Sequence, residues 1–208
     1  MNFHQQLRDP HIDDQVLFQA FLGQVASQGV ISLGTFLKRI PGKLVRKLEF
    51  GQEVPFLLRI KLANGTWFHV FIEPDGEGWH THPIYSSVAY ILAGGYTNEW
   101  MEIAQWKTGV REPNRQPMIP GHSYVFDYAL NRPGDREIIH RVSRFTDNWD
   151  WSVSLFRPGE RKPEDDWSWA IYPVEGNHPI PMGSDPSRDT AFECWTEVSS
   201  HLPGGLFL

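Results

Sequence analysis

The sequence predicts an all-β domain built as an antiparallel sandwich or barrel. After about residue 44, short apolar or alternating runs follow one another, and turn residues separate them roughly every ten positions. One separating pair, Asn64-Gly65, is the strongest short-range signal for a β-hairpin. This pattern favours an antiparallel fold over parallel βαβ units. The length of 208 residues suits one elaborated domain.

The N-terminal segment, residues 1–43, is predicted to be helical and to pack on the barrel. Apolar residues recur near helical spacing from Val16 onward, and Asp13 or Asp14 can cap this helix. A second short helix is predicted over 31–40, where a Pro-Gly pair ends the apolar pattern.

The barrel segment is residues 44–160, and turns rich in Gly, Pro, Asn and Asp join its strands. Seven strands are predicted, in chain order: 54–62, 66–73, 87–96, 98–106, 122–130, 136–145 and 151–159. Residues 161–208 are predicted to form an irregular extension rich in Pro and Trp, with two further strands over 168–173 and 191–198. Because disordered tails seldom carry so many aromatic residues, we expect this extension to pack on the barrel within a single domain.

Charge and cysteine content exclude several classes of protein. Nineteen Lys and Arg against twenty-five Asp and Glu give a net charge of −6, which excludes a generally basic nucleic-acid binder. No apolar run reaches the roughly eighteen residues of a membrane span, and the N-terminus lacks the apolar core of a secretory signal. We therefore expect a cytoplasmic protein with no membrane partner. Cys194 is the only cysteine, so imidazole and carboxylate groups would have to hold any transition metal.

The histidines form the most informative pattern. His80 and His82 stand two residues apart at the edge of a predicted strand, so both side chains project from one face. His140 lies within another predicted strand, among apolar neighbours where solvent would be a poor partner. Two histidines at this spacing can reach one cation at about 2.1 Å while the backbone stays extended. The pattern therefore indicates a metal site.

The order of these residues resembles the two motifs of the cupin family. The first is Gly-x-x-x-His-x-His followed by an apolar strand that ends at Gly94-Gly95, and the second is a Pro-Gly turn followed by His-Arg-Val. The resemblance covers about residues 50–160. It implies a jelly-roll barrel with His80, His82 and His140 as metal ligands. Ser86 or Ser87 occupies the position where cupins usually carry a glutamate, which implies a site of three histidines without a carboxylate.

Such a three-histidine site is similar to that of the thiol dioxygenases, of which cysteine dioxygenase is the best known. The stretch HRVSRF…WSVSLF also resembles those enzymes, with Ser154 matching the serine of their Ser-His-Tyr relay. Phe156 stands where the relay has histidine, and Ser87 stands where the crosslinking cysteine would be. The resemblance further places Arg59 in the strand region that holds a substrate carboxylate. Because Arg59 alternates with apolar residues, a solvent-facing position is the competing interpretation.

Other residues are weaker candidates for the site. Tyr90 and Tyr124 are candidates for the substrate pocket, with core packing as the alternative. His69 and Ser87 are candidates for hydrogen bonds that orient a metal ligand, although His69 also suits the barrel wall. The remaining histidines are predicted to lie at the surface, and the many tryptophans of the second half are predicted to be buried or to line an apolar pocket.

The predicted function is that of a mononuclear non-haem Fe(II) oxygenase or dioxygenase acting on a small anionic substrate and O2. Three neutral ligands leave open positions on the ion and favour anionic donors. Zinc, nickel, manganese and copper stay open as the native metal. Two alternatives stay open as well: a metal-dependent lyase, isomerase or hydrolase, and a cupin that binds a metal or ligand without catalysis. A homodimer is expected on family grounds alone.

Overall fold

The structure is a computed structural model. It describes residues 2–29, 33, 35, 37, 40–49, 52–75, 78–128, 137–146, 150–162, 170–174, 178–181, 189–193 and 197. The helices are α1 (Phe3–Leu7), α2 (Asp14–Gln28) and α3 (Ile103–Lys107). The strands are β1 (Gly42–Glu49), β2 (Gln52–Lys61), β3 (Trp67–Phe71), β4 (Gly78–His80), β5 (Ser86–Ala93), β6 (Tyr96–Glu102), β7 (Asn114–Met118), β8 (Ser123–Asp127), β9 (Ile138–Phe145), β10 (Ser152–Pro158), β11 (Ala170–Pro173), β12 (Ile180–Pro181) and β13 (Asp189–Phe192).

Within the described residues, these strands form two antiparallel sheets. Sheet A has the order β13-β1-β2-β3-β10-β5-β8, and sheet B has the order β12-β11-β4-β9-β6-β7. Ala89 and Ile91 of sheet A share one buried cluster with Met118 and Val142 of sheet B, so the sheets face each other across a common core. This double-sheet jelly roll confirms the predicted fold class.

The N-terminal helices cover the outer face of sheet A. Phe21 of α2 stacks on Phe68 of β3 with ring centroids 5.6 Å apart, and Phe18 packs against Tyr90 of β5 at 5.1 Å. The side chain of Asp13 accepts hydrogen bonds from the first backbone N–H groups of α2, which settles the choice between two predicted caps. Most of the helix predicted over 31–40 lies outside the described residues, but Leu33 and Leu37 belong to the same buried cluster.

Asp14 ties α2 to the barrel. Two nitrogens of Arg157, at the end of β10, each donate to its carboxylate at 2.6 Å. Thr66 donates to it at 2.6 Å and Asn64 at 2.9 Å, both from the loop between β2 and β3. The side chains of Asp14 and Arg157 are 17% and 31% exposed, so this junction is only partly shielded from water.

We expect Asp14→Ala to lower the free energy of unfolding by about 2 kcal/mol, because it leaves several donors at a half-buried junction without their acceptor. Urea denaturation followed by circular dichroism measures the change. Asp150→Ala, at an exposed position, is the matched control and should change stability by less than about 0.5 kcal/mol. A loss as small as the control's would show that the junction contributes nothing.

The predicted hairpin and the predicted strand end at the glycine pair are both confirmed. Strands β2 and β3 pair across Asn64-Gly65, where Gly65 has a φ of +88°. At Gly94 the chain passes from sheet A to sheet B with a φ of +74°, and a Cβ there would lie 2.3 Å from the carbonyl oxygen of Trp151. Only glycine fits both the conformation and the space. The second predicted turn, at Pro133-Gly134, lies outside the described residues.

The strand predicted over 98–106 is wrong in its second half. β6 ends at Glu102, and α3 follows because Glu102 and Gln105 cap its first turn reciprocally. Ile103 and Trp106 of α3 are buried against the outer face of sheet B. Strands β1, β4, β7 and β12 were not predicted, because charged residues in β1, the shortness of β4 and β12, and a proline in β7 obscure their pattern.

The described parts of the C-terminal extension complete both sheets. β11 lies within the strand predicted over 168–173 and pairs with β4, while β13 overlaps the strand predicted over 191–198 and pairs with β1. In the part of the chain that the structure describes, no helix is long and apolar enough to cross a membrane.

Candidate metal centre

Three histidines converge at one end of the barrel interior. His80 closes β4 and stands directly opposite His140 of β9, and His82 follows two residues later. Their ring centroids are 4.6–4.9 Å apart, and the Nε2 atoms of His82 and His140 are separated by 2.6 Å. One nitrogen from each ring lies within 4.8 Å of the other two. The structure therefore brings together the three residues that the sequence singles out as metal ligands.

The surroundings keep two of these imidazoles neutral. Burial lowers the pKa of His82 well below 6.5, and the neighbouring His80 and Lys162 lower it further. Burial, with His80 and His82, lowers the pKa of His140 in the same way. The side chain of Lys162 is itself 4% exposed, and its ammonium group pairs with Glu137. Neutral rings have the free lone pair that a metal ion requires.

Asn98 fixes the orientation of His140. Its Oδ1 lies 2.8 Å from Nδ1 of His140, and its side chain is 1% exposed on the neighbouring strand β6. Because a carbonyl oxygen accepts, Nδ1 of His140 carries the hydrogen and Nε2 is left with its lone pair facing His82. Sequence reasoning did not single out Asn98. Its polar amide on an inward-facing strand position was the signal available.

We expect Asn98→Leu to weaken the binding of a divalent metal by about 10–100-fold, because the ring of His140 loses the acceptor that fixes it. Isothermal titration of the apo-protein with Zn(II) measures the affinity. Gln116→Leu, opposite Asn98 on β7, makes the same change of side chain without touching a histidine of the site and is the matched control. Equal affinities for the two variants would contradict the orienting role.

Aromatic side chains enclose the histidines, and one of them connects to Ser87. The ring of Tyr128 lies 4.7 Å from that of His82 and 5.4 Å from that of His140. Burial raises the pKa of Tyr128, so its hydroxyl stays protonated, and it forms a 2.9 Å hydrogen bond with the Oγ of Ser87. Ser87 therefore reaches the histidines through Tyr128 rather than directly.

Arg59 lies on the barrel face of sheet A, so its solvent-facing interpretation is wrong. Its apolar neighbours in β2, Leu58 and Ile60, pack in the cluster beneath the N-terminal helices. Side chains alternate along a strand, so Arg59 points to the opposite face, in register with His69 and, one strand further, Ser154. Its guanidinium lies 5.2 Å from the ring of Trp67.

His69 is separated from the metal-ligand candidates by an aromatic ring. It stacks on Phe156 with centroids 5.1 Å apart, and Phe156 lies 6.4 Å from His82. Burial and the charge of Arg59 lower the pKa of His69 to about 3, so this ring is neutral. Among the described residues, no hydrogen bond joins His69 to His80, His82 or His140. The side chain that orients His140 by a hydrogen bond is Asn98 instead.

The two tyrosine candidates lie away from the histidines. Tyr90 faces outward onto α2, against Phe18, so the expectation that it lines the substrate pocket is wrong. Tyr124 faces the barrel core, where its hydroxyl accepts a hydrogen bond from the backbone N–H of Ile119 at 2.9 Å.

Of the tryptophans, Trp100 stands opposite His140, whereas Trp106 is buried outside the barrel. The exposed histidines are His4, His11, His122 and His178; His201, Trp149, Trp167, Trp169 and Trp195 lie outside the described residues.

Comparison with known proteins finds structural likenesses of low sequence identity. No protein-family model matches the chain, and no curated protein matches it. Fe(II)-HppE with the alternative substrate (S)-1-HPP is 11% identical over 76% of this chain and 97% of that chain, with a TM-score of 0.36. Recombinant oxalate oxidase in complex with glycolate is 11% identical over 60% of this chain and 53% of that chain, at 0.33. Drosophila melanogaster CENP-C bound to CAL1 is 12% identical over 71% of this chain and 100% of that chain, at 0.32. Likenesses this distant assign no chemistry.

Proposed function

We propose that this protein is a metal-dependent cupin enzyme that holds one Fe(II) ion between His80, His82 and His140 and oxidises a small anionic substrate with O2. The observation that carries the proposal is the convergence of three imidazole rings inside the barrel, with one nitrogen from each within 4.8 Å of the others. Neutral histidines do not gather in this way for packing alone, since apolar side chains fill such space without unsatisfied nitrogens.

The donor set fits a divalent transition metal. Nε2 of His82 and Nε2 of His140 lie 2.6 Å apart, at hydrogen-bonding distance, so two ligand nitrogens already face each other and a bound ion would need their rings to move slightly apart. The amide of Asn98 keeps the opposite nitrogen of His140 protonated. Among the described residues, no carboxylate belongs to the group of three, so the ligands themselves bring no negative charge and the ion would favour an anionic donor.

The chain's own residues would bind and shield the substrate. Bound Fe(II) would supply open coordination positions for a substrate donor and for O2. Tyr128 and Phe156 would exclude water from one side of the site, since both rings lie against His82. We assign to Arg59 the recognition of an anionic group, and to Ser154 a polar contact on the same barrel face. A charge-assisted bond from Arg59 would orient the substrate as well as bind it.

Metal analysis tests the proposal directly. Protein purified without chelators, or reconstituted with Fe(II) under anaerobic conditions, is expected to hold close to one metal ion per chain. Fewer than about 0.2 ions per chain after reconstitution would overturn the proposal, because the three nitrogens would then not hold an ion. Oxygen uptake is then measured with candidate thiols, diketones and amino acids.

The same measurements separate the two alternative functions. Turnover without O2 that survives replacement of Fe(II) by Zn(II) would indicate a lyase, isomerase or hydrolase that uses the ion as a Lewis acid. Thermal stabilisation by a metabolite, with no turnover and no oxygen uptake, would indicate a binding protein.

A further inference from the structure

A buried carboxylate lies beside the first of the three histidines. The side chain of Asp75 is 9% exposed, and its Oδ2 lies 3.9 Å from Nδ1 of His80. Asp75 is held in place by β9: its Oδ2 accepts the backbone N–H of Val142 at 2.6 Å, and its own N–H donates to the carbonyl of Val142 at 2.9 Å. Val142 is two residues from His140, so Asp75 is fixed to the strand that carries another histidine of the site.

The negative charge of Asp75 requires a positive partner. Burying a carboxylate is costly unless a cation or several hydrogen bonds compensate it. Within the described residues, no lysine or arginine forms an ion pair with Asp75, whereas Nδ1 of His80 lies 3.9 Å from its Oδ2. Its charge also reaches into the barrel, where it adds to burial in raising the pKa of Tyr128.

We propose that Asp75 is a positioning residue of the metal centre. In the metal-bound protein it accepts the Nδ1–H of His80, which directs Nε2 of His80 at the ion, and its charge offsets part of the ion's double positive charge. A shift of about 1 Å brings the present 3.9 Å separation into hydrogen-bonding range. This inference rests on the proposed metal site, and it supplies the negative charge that three neutral ligands lack.

The placement of Asp75 distinguishes it from the glutamate of the usual cupin motif. That glutamate would follow His82 in the chain, whereas Asp75 precedes His80 by five residues, in the turn after β3. Asp75 acts through the far side of the His80 ring, where it raises the basicity of the ligand nitrogen without occupying a position on the ion. Open positions on the ion therefore remain available to substrate.

Zn(II) affinity of the apo-protein, measured by competition with a chromogenic chelator, tests this inference. Asp75→Asn keeps an acceptor oxygen for the N–H of Val142 but removes the charge. It is expected to weaken Zn(II) binding by about 10–100-fold and to shift the visible spectrum of the Co(II)-substituted protein. Asp75→Glu restores the charge and is expected to recover most of the affinity. Asp150→Asn removes an equal charge at an exposed position and is expected to bind as the wild type does.

The outcomes separate this inference from the proposed function. If the wild type binds Zn(II) and His140→Ala does not, an affinity of Asp75→Asn within about threefold of the wild type overturns the role of Asp75 alone. A glutamate variant that binds no better than the asparagine variant also overturns it, because the effect would then follow shape rather than charge. A metal-bound structure with an Asp75 oxygen at about 2.0–2.2 Å from the ion would make Asp75 a ligand and overturn the positioning role. A wild type that binds no metal overturns both proposals.

Discussion

Replacing His140 with alanine is expected to weaken metal binding by more than about 100-fold, beyond the effect of removing a residue that merely orients a ligand. His140 supplies one of three nitrogens and stands between His82 and Asn98, with its Nε2 2.6 Å from the Nε2 of His82 and its Nδ1 2.8 Å from the Oδ1 of Asn98. Its loss removes a donor and the partner that holds Asn98 in place. Metal content after anaerobic reconstitution and oxygen uptake should both fall to background.

The fold should survive this change, because the barrel core does not depend on the histidines. The apo-protein of His140→Ala is expected to unfold cooperatively and to lose about 1–3 kcal/mol, the cost of leaving Asn98 without its partner. His122→Ala, at an exposed turn, is the matched control and should retain both metal and stability. Full metal occupancy in the His140 variant would refute the assignment of this site.

Glu99→Ala is expected to lower the free energy of unfolding by about 3 kcal/mol, or the melting temperature by roughly 6–12 °C. The Glu99 side chain is 7% exposed and accepts hydrogen bonds from Arg141 of β9 at 2.9 Å and Arg115 of β7 at 2.9 Å. Without it, the guanidinium of Arg141, 19% exposed, loses its carboxylate partner on the outer face of sheet B. Arg115 is 62% exposed, so its share of the effect is small. Calorimetry measures the change, and exposed Glu112→Ala serves as the control.

Ionisation of Glu99 also makes the free energy of unfolding depend on pH, and its lowered pKa sets the sign of that dependence. Burial opposes ionisation of Glu99, but hydrogen bonds from Arg115 and Arg141 outweigh it and lower the pKa below 4.5. A lowered pKa contributes stability that is complete above the unfolded value and is lost as the pH falls through the folded one. The difference in unfolding free energy between wild type and Glu99→Gln should therefore be constant above about pH 5 and shrink below it. A difference that grows on acidification would contradict the pairing.

The sequence was sufficient for most of the strands and for the three histidines, because both are properties of short segments. Alternation and turn residues are local, and the spacing of His80 and His82 is visible within one strand end. Asp75 and Asn98 were not identified, since their contacts in the site join segments that lie more than forty residues apart in the chain. Whether the Arg59 side chain lies on the solvent side or on the barrel side of sheet A depends on which face of the sheet the helices cover. That choice is made by packing, and an alternating pattern alone leaves it open.

The position of β4 within sheet B has a consequence for the order in which the protein is made. This short strand carries His80 and is flanked by β9 on one side and β11 on the other. A nascent chain has synthesised strands β1 to β10 before Ala170 emerges and supplies the second neighbour of β4. The strand that carries His80 therefore gains its second neighbour only after the chain segments that carry His82 and His140 have both been synthesised.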